Sequence, residues 1–148
     1  MPKSRFVYEI YIAASAETVW KAVLDGEFTR QYWERENVSD WIPGSRWEHR
    51  RTDGGQVLIL GEVLESSPPS RLVLTWADPS DRLRKAHHSR VTFEIEPVAD
   101  MVRLRITHDD LERGSDMERK ITQGWPRVLS SLKSLLETGR ALKTWAGR

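Results

Sequence analysis

Between Ser115 and Leu136 the chain carries one apolar stripe at helical spacing: Ile121, Trp125, Val128, Leu129, Leu132, Leu135 and Leu136. A helix with a single such stripe has one face to bury and needs a surface to bury it against. Ser115-Asp-Met-Glu118 has the form of a capping box and marks where the helix starts. Pro126, with Gly124 nearby, predicts a bend near its first third, because proline removes a backbone donor. The receiving surface comes from what precedes the helix. From about Val38 to Asp109, short stretches alternate apolar and polar residues. Val91, Phe93 and Ile95 alternate with Thr92, Glu94 and Glu96, and Val102, Leu104 and Ile106 with Arg103 and Arg105. This two-residue period marks strands with one wet and one buried face. Pro43-Gly44, Asp53-Gly54-Gly55 and Pro68-Pro69 are turn signals between them, so the region reads as an antiparallel meander. Gly61, inside an otherwise strand-like run, predicts a bulge or a sharp bend.

The N-terminal part adds a strand and two helices. Phe6, Tyr8, Ile10 and Ile12 alternate with Val7, Glu9 and Tyr11. Ser15 is a good N-cap for a helix carrying Val19, Trp20, Val23 and Leu24, with Trp20 expected in the core beneath the sheet. Asp25-Gly26 stops that run, and a short second helix carries Phe28, Tyr32 and Trp33. The order strand, two helices, six strands, long helix is α+β. It predicts a curved antiparallel sheet of about seven strands wrapped around the last helix, the helix-grip arrangement. With 148 residues, the chain is expected to form one domain over 1–148, with a core at about 6–136 and a tail after 139. Trp145, in that tail, is expected either to fray or to pack on a second copy of the chain.

Composition narrows the function classes. Twenty-three basic and 22 acidic residues leave a formal charge of +1, too small a field to attract nucleic acid or an anionic membrane. Without cysteine there is no disulfide, thiol nucleophile or thiolate metal site, which suits a cytoplasmic setting. No stretch resembles a signal peptide or spans a bilayer. No Gly-x-Ser-x-Gly elbow, phosphate-binding glycine loop or His-Glu-x-x-His motif is present. No cofactor and no metal site is therefore expected.

Tryptophans supply the candidate site. Trp33, Trp41, Trp47, Trp76 and Trp125 fall beside turns, on strands or on the helix stripe, and flat rings brought together by a curved sheet wall an apolar pocket. Ile59, Phe93, Leu104 and Leu129 complete the predicted lining, with His49 and His108 as its polar members. The same rings packed solid would leave no cavity. Taking Ala99-Asp100 as a two-residue turn pairs Ile95 with Leu104 and Val91 with His108, and sets His87 opposite Glu112, facing inward. His87 then lies roughly 13 Å along the sheet from His108, too far to share a metal ion. Arg82-Leu-Arg-Lys-Ala-His-His-Ser-Arg90 reads as a solvated loop offset by Asp109-Asp110-Leu111-Glu112. A sharper reading puts it at the pocket mouth, drawing an anionic group of the ligand.

Trp41-Ile-Pro-Gly-Ser-Arg-Trp47, Gly61-Glu-Val-Leu-Glu through Leu74-Thr-Trp76, Ile12-Ala-Ala-Ser-Ala-Glu-Thr-Val-Trp20 and Leu104-Arg-Ile-Thr-His108 together resemble one family. It is the domain of the activator of heat-shock-protein-90 ATPase, within the START-like (SRPBCC) helix-grip superfamily, and the likeness runs from about Phe6 to about Leu136. Three functions follow as expectations. The first is binding of a largely hydrophobic small molecule between sheet and C-terminal helix, without catalysis. The second, implied by the resemblance, is a co-chaperone-like protein-interaction module tied to stress response, although the eukaryotic co-chaperones pair this domain with another. The third is a cyclase- or hydrolase-type enzyme using His49 and His108 as acid and base. The chain is expected to work as a monomer or homodimer.

Overall fold

Side chains of β1 (Lys3–Ile12) alternate without interruption between half-buried and exposed until Ile12 is fully buried, so one face of the strand meets the core. The computed structural model describes residues 2–142, and the expectation for Trp145 falls outside them. Ser15 caps α1 (Ala16–Leu24) by accepting from the Thr18 N–H at 3.1 Å. Asp25 does the same for α2 (Gly26–Trp33), accepting from the Glu27 N–H at 2.9 Å. The Tyr32 hydroxyl donates to the Ala22 carbonyl at 2.9 Å and locks the two helices together. Trp20 is half-buried against the core rather than within it, a correction, because its face of α1 borders an open groove.

Six strands follow: β2 (Arg35–Val38), β3 (Arg46–Arg51), β4 (Val57–Ser67), β5 (Arg71–Trp76), β6 (Ser89–Val98) and β7 (Met101–Glu112). They form one antiparallel sheet in the order β1-β7-β6-β5-β4-β3-β2. The β6–β7 hairpin has the expected register, Val91 opposite His108 and Ile95 opposite Leu104. Two register shifts interrupt β4, one skipping Leu58 between Ile59 and Val57, the other skipping Leu64 between Val63 and Glu65. Such insertions bend a strand and increase its twist, which curves the sheet.

Gly61 marks a close approach on the same strand. A Cβ there would stand 1.9 Å from the Thr75 carbonyl oxygen and 2.6 Å from Trp47 Nε1. The vacant volume lets the Trp47 indole donate to the Thr75 carbonyl at 2.8 Å, while the Glu62 N–H turns to the Thr75 hydroxyl at 2.8 Å.

The last element, α3 (Asp116–Thr138), lies against β1, β7 and α2. It continues through Pro126 and ends at Gly139, whose φ of 82° is the left-handed value that favours glycine there. Ile121, Trp125, Val128, Leu129 and Leu132 are buried, as the stripe predicts. The capping box is half realised. Ser115 accepts from the Glu118 N–H at 3.1 Å, but the Glu118 carboxylate accepts from Gly114 N–H at 2.7 Å and bonds the Ser4 hydroxyl. Near the far end, Lys133 donates to the Tyr11 carbonyl and Glu137 accepts from the Ala13 N–H, fastening α3 to the end of β1.

Candidate functional site

Four rings from four elements close a circuit inside the grip. Trp33 ends α2, His49 lies on β3, Trp76 ends β5, and Trp125 comes from α3. Their centroids are 4.6 Å apart for Trp33–His49, 6.2 Å for His49–Trp76, 5.5 Å for Trp76–Trp125 and 5.4 Å for Trp125–Trp33. All pairs are tilted rather than face to face, as ring quadrupoles favour. The circuit borders a cavity of about 390 Å³ between sheet and α3, within the range of small-molecule sites. Leu58, Ile59, Ile121 and Val128 extend the apolar wall, and Arg35, Arg51, Asp78 and Lys120 bring charge to it. Arg35 and Arg51 face each other across the β2–β3 ladder, an arrangement of like charges that concentrates positive potential. Asp53 offsets Arg51 in part, through contacts of 3.0 and 3.3 Å.

His49 is the polar member of the circuit. Its Nδ1 lies 2.7 Å from Asn37 Oδ1, and Asn37 Nδ2 donates to the Val23 carbonyl at 3.4 Å. The amide is thereby oriented with its oxygen towards the ring, so Nδ1 carries the proton and Nε2 is left with its lone pair. No described residue bonds Nε2, and Nε2 is not among the enclosed side-chain atoms left without a partner, so it keeps access to solvent. His49 lines the cavity, with Nδ1 turned to Asn37 and Nε2 the ring nitrogen left for other contacts. Burial, reinforced by the nearby positive charge of Arg35, pushes the imidazole pKa down to about 3.

His108 is different in kind. It is fully buried, and both nitrogens are engaged: Nδ1 accepts from the Trp125 indole at 3.1 Å, and Nε2 lies 2.8 Å from the Ser89 hydroxyl. Because the indole only donates, Nδ1 must be bare and Nε2 must carry the proton. Ser89 then receives that proton's hydrogen bond and passes its own to the Trp76 carbonyl at 3.1 Å. A second ring proton would face the indole N–H, which agrees with a pKa pushed down to about 3, chiefly by burial.

Of the residues predicted to line a site, Trp33, His49, Ile59, Trp76 and Trp125 border the cavity. Trp47, Phe93, Leu104, His108 and Leu129 are buried behind it and do not line it. Trp47 lies tilted against Trp76 at 5.4 Å, and Phe93 meets Trp125 edge-on at 5.8 Å. Trp41 packs outside on Trp47, at 6.4 Å, and borders a separate groove. The grip is therefore partly filled and partly hollow.

His87 does not face inward on a strand. It belongs to a 3-10 turn (Lys85–His87), is exposed, and bonds Glu112 at 2.6 Å. The Arg82–Arg90 segment does not reach the cavity, and Arg90 pairs with Asp109 through two contacts of 3.1 Å. The positive groups at the cavity are Arg35, Arg51 and Lys120 instead. Met117 and Gly124 were within reach of sequence reasoning, since the helical period of Ile121, Trp125 and Val128 also includes them. Among the described residues, no three carboxylate or imidazole groups come together as a metal would require. No helix among them is long and apolar enough to cross a membrane.

The family model described as "Activator of Hsp90 ATPase homolog 1-like protein" matches residues 13–137. Solved structures similar to this chain include the Aha1 dimer from Colwellia psychrerythraea, with a TM-score of 0.78 and 22% identity over 93% of this chain and 99% of that one. A protein from Mesorhizobium loti has a TM-score of 0.74 and 26% identity, over 90% and 97% of the two chains. CalU16 from Micromonospora echinospora has a TM-score of 0.73 and 19% identity, over 95% and 78%. No curated protein matches the chain.

Proposed function

The chain belongs to the family of Activator of Hsp90 ATPase homolog 1-like proteins, and from that premise we propose that it binds a largely hydrophobic small molecule, without transforming it, between the sheet and α3. The observation that carries this reading is the volume of about 390 Å³ left open beside Trp33, Trp76 and Trp125. A core built only for stability would close around those rings, since interiors pack to crystal density. An anionic end on the ligand suits Arg35, Arg51 and Lys120 at the same cavity. The absence of catalysis is supported by the histidines. His108 has no free nitrogen to offer, and His49, held near pKa 3, is a poor base at neutral pH.

Titration with anilinonaphthalene sulfonate, followed by tryptophan quenching, tests the reading. The expected result is saturable one-to-one binding, weakened at least about tenfold in Val128→Phe. That substitution fills the cavity at a cost of about 1–3 kcal/mol, as overpacking does. Mass spectrometry of organic extracts from the purified protein then looks for a natural ligand. Failure of a broad panel of apolar probes to bind would defeat the proposal.

One observation favours a second reading, a co-chaperone-like protein-interaction module acting in a cytoplasmic stress response. Trp20, Leu24 and Trp41 border a groove beside α1 and α2, with Ile42 59% exposed next to it. Trp41 holds a left-handed φ of 60°, an uncommon conformation for a bulky residue. Stoichiometric co-purification with an Hsp90-type ATPase, lost in Trp41→Ala, would favour this reading over the first.

A further inference from the structure

We infer that the cavity selects ligands carrying a neutral hydroxyl or N–H donor, which His49 Nε2 receives inside the aromatic circuit. The inference rests on the ligand-binding reading above and adds, apart from any anionic group drawn to Arg35, Arg51 and Lys120, a donor group seated at His49. Its basis is the directional chain Val23 carbonyl, Asn37 amide, His49 imidazole. Each member has one role left once the previous one is set, and the last group is a bare lone pair. The surrounding rings do not satisfy it. Trp33 lies tilted 4.6 Å from the imidazole, and Trp76 is 6.2 Å away.

A ligand that places hydrocarbon against Nε2 strips water from a good acceptor and returns nothing. A carboxylate brings lone pair against lone pair. Only a donor closes the chain. The tilted indoles on three sides favour a flat aromatic body, so hydroxylated aromatic molecules are the chemical class that fits best. Asp78 is the competing acceptor, but its carboxylate is exposed and already accepts from the Ser80 N–H and hydroxyl at 2.9 and 2.8 Å.

The test compares 2-naphthol with 2-methoxynaphthalene on the intact protein at neutral pH, by calorimetry or tryptophan quenching. The methyl ether keeps the ring system and the oxygen, is more apolar, and lacks only the donor. The expected result is at least about tenfold tighter binding of the naphthol, the worth of one well-formed hydrogen bond. In His49→Phe, which keeps a flat ring but no acceptor, the order should reverse in favour of the ether. Equal affinities in the unaltered protein, or a naphthol preference that survives His49→Phe, would overturn the inference while leaving the cavity a binding site. If neither compound binds, the inference fails together with the reading it rests on. Should His49→Phe not fold, the wild-type comparison decides the matter alone.

Discussion

Trp125 Nε1 donates to His108 Nδ1 at 3.1 Å, joining the long helix to the sheet through a buried hydrogen bond. The bond fixes the imidazole tautomer and, through Ser89, anchors the backbone at Trp76. One indole thus serves twice, lining the cavity and holding the wall behind it through its N–H.

Trp125→Phe keeps most of the ring and removes the donor. His108 Nδ1 is then buried without a partner, and the expected loss is about 1–3 kcal/mol of unfolding free energy, measured by urea denaturation. Adding His108→Leu should cost much less in that background than in the parent, because the two residues act as a unit. Equal costs in both backgrounds would show that the bond contributes nothing.

Two buried histidines predict a pH dependence. Both have native pKa values pushed to about 3 by burial, against about 6.5 in an unfolded chain. Between those values the unfolded state binds more protons, so stability falls as pH falls, by up to about 1.4 kcal/mol per unit for each histidine. Between about pH 6 and pH 5 the histidines dominate the slope, since carboxylates held below their ordinary range in the native state, such as Glu112 and Glu137, add to it mainly as pH nears their unfolded value of about 4.3. The slope of unfolding free energy in that window should drop by about half in His108→Gln. An unchanged slope would mean that His108 is protonated in the native state.

The same contrast shows how far residue patterns reach. Alternation identified the strands of the meander, and a two-residue turn was enough to pair Val91 with His108. His87 escaped because parity was carried past the start of β6 at Ser89, into a 3-10 turn where alternation has no meaning. Arg35 and Arg51 were invisible as a pair, since β2 has only four residues and no apolar period. Leu58 reaches the cavity beside its neighbour Ile59 through a register shift in the run where Gly61 predicts a bulge, but at a position that no residue type marks. Whether five tryptophans pack solid or leave a hole depends on volumes and ring angles, quantities that a string of residue types does not carry.

Leu132 sits on the stripe that presses α3 into the sheet and has no exposed surface. Leu132→Ala should lose roughly 2–5 kcal/mol, the range for a buried leucine whose space does not fully collapse. Chemical denaturation measures it, and a loss under about half a kcal/mol would place the residue among surface positions instead.

Gly61→Ala should be far more damaging than its single methyl group suggests. The added carbon would meet the Thr75 carbonyl oxygen at 1.9 Å and Trp47 Nε1 at 2.6 Å. The carbonyl belongs to the neighbouring strand's backbone and cannot swing aside as a side-chain tip would. The indole is buried, 1% exposed, and bonded to that same carbonyl. Relief therefore requires parting β4 from β5 or expelling Trp47, which would disturb Trp76, 5.4 Å away, and with it the cavity wall. The expected loss is at least about 3 kcal/mol, the upper end of overpacking, with a changed near-ultraviolet circular dichroism signal from the tryptophans. Gly54→Ala is the control. Its φ of 87° disfavours alanine, but nothing lies within 4 Å, so it should cost only about 1 kcal/mol, through backbone conformation alone. Similar losses for the two variants, with the tryptophan signal unchanged in Gly61→Ala, would mean that the strands separate easily there and that Trp47 is not held by Thr75.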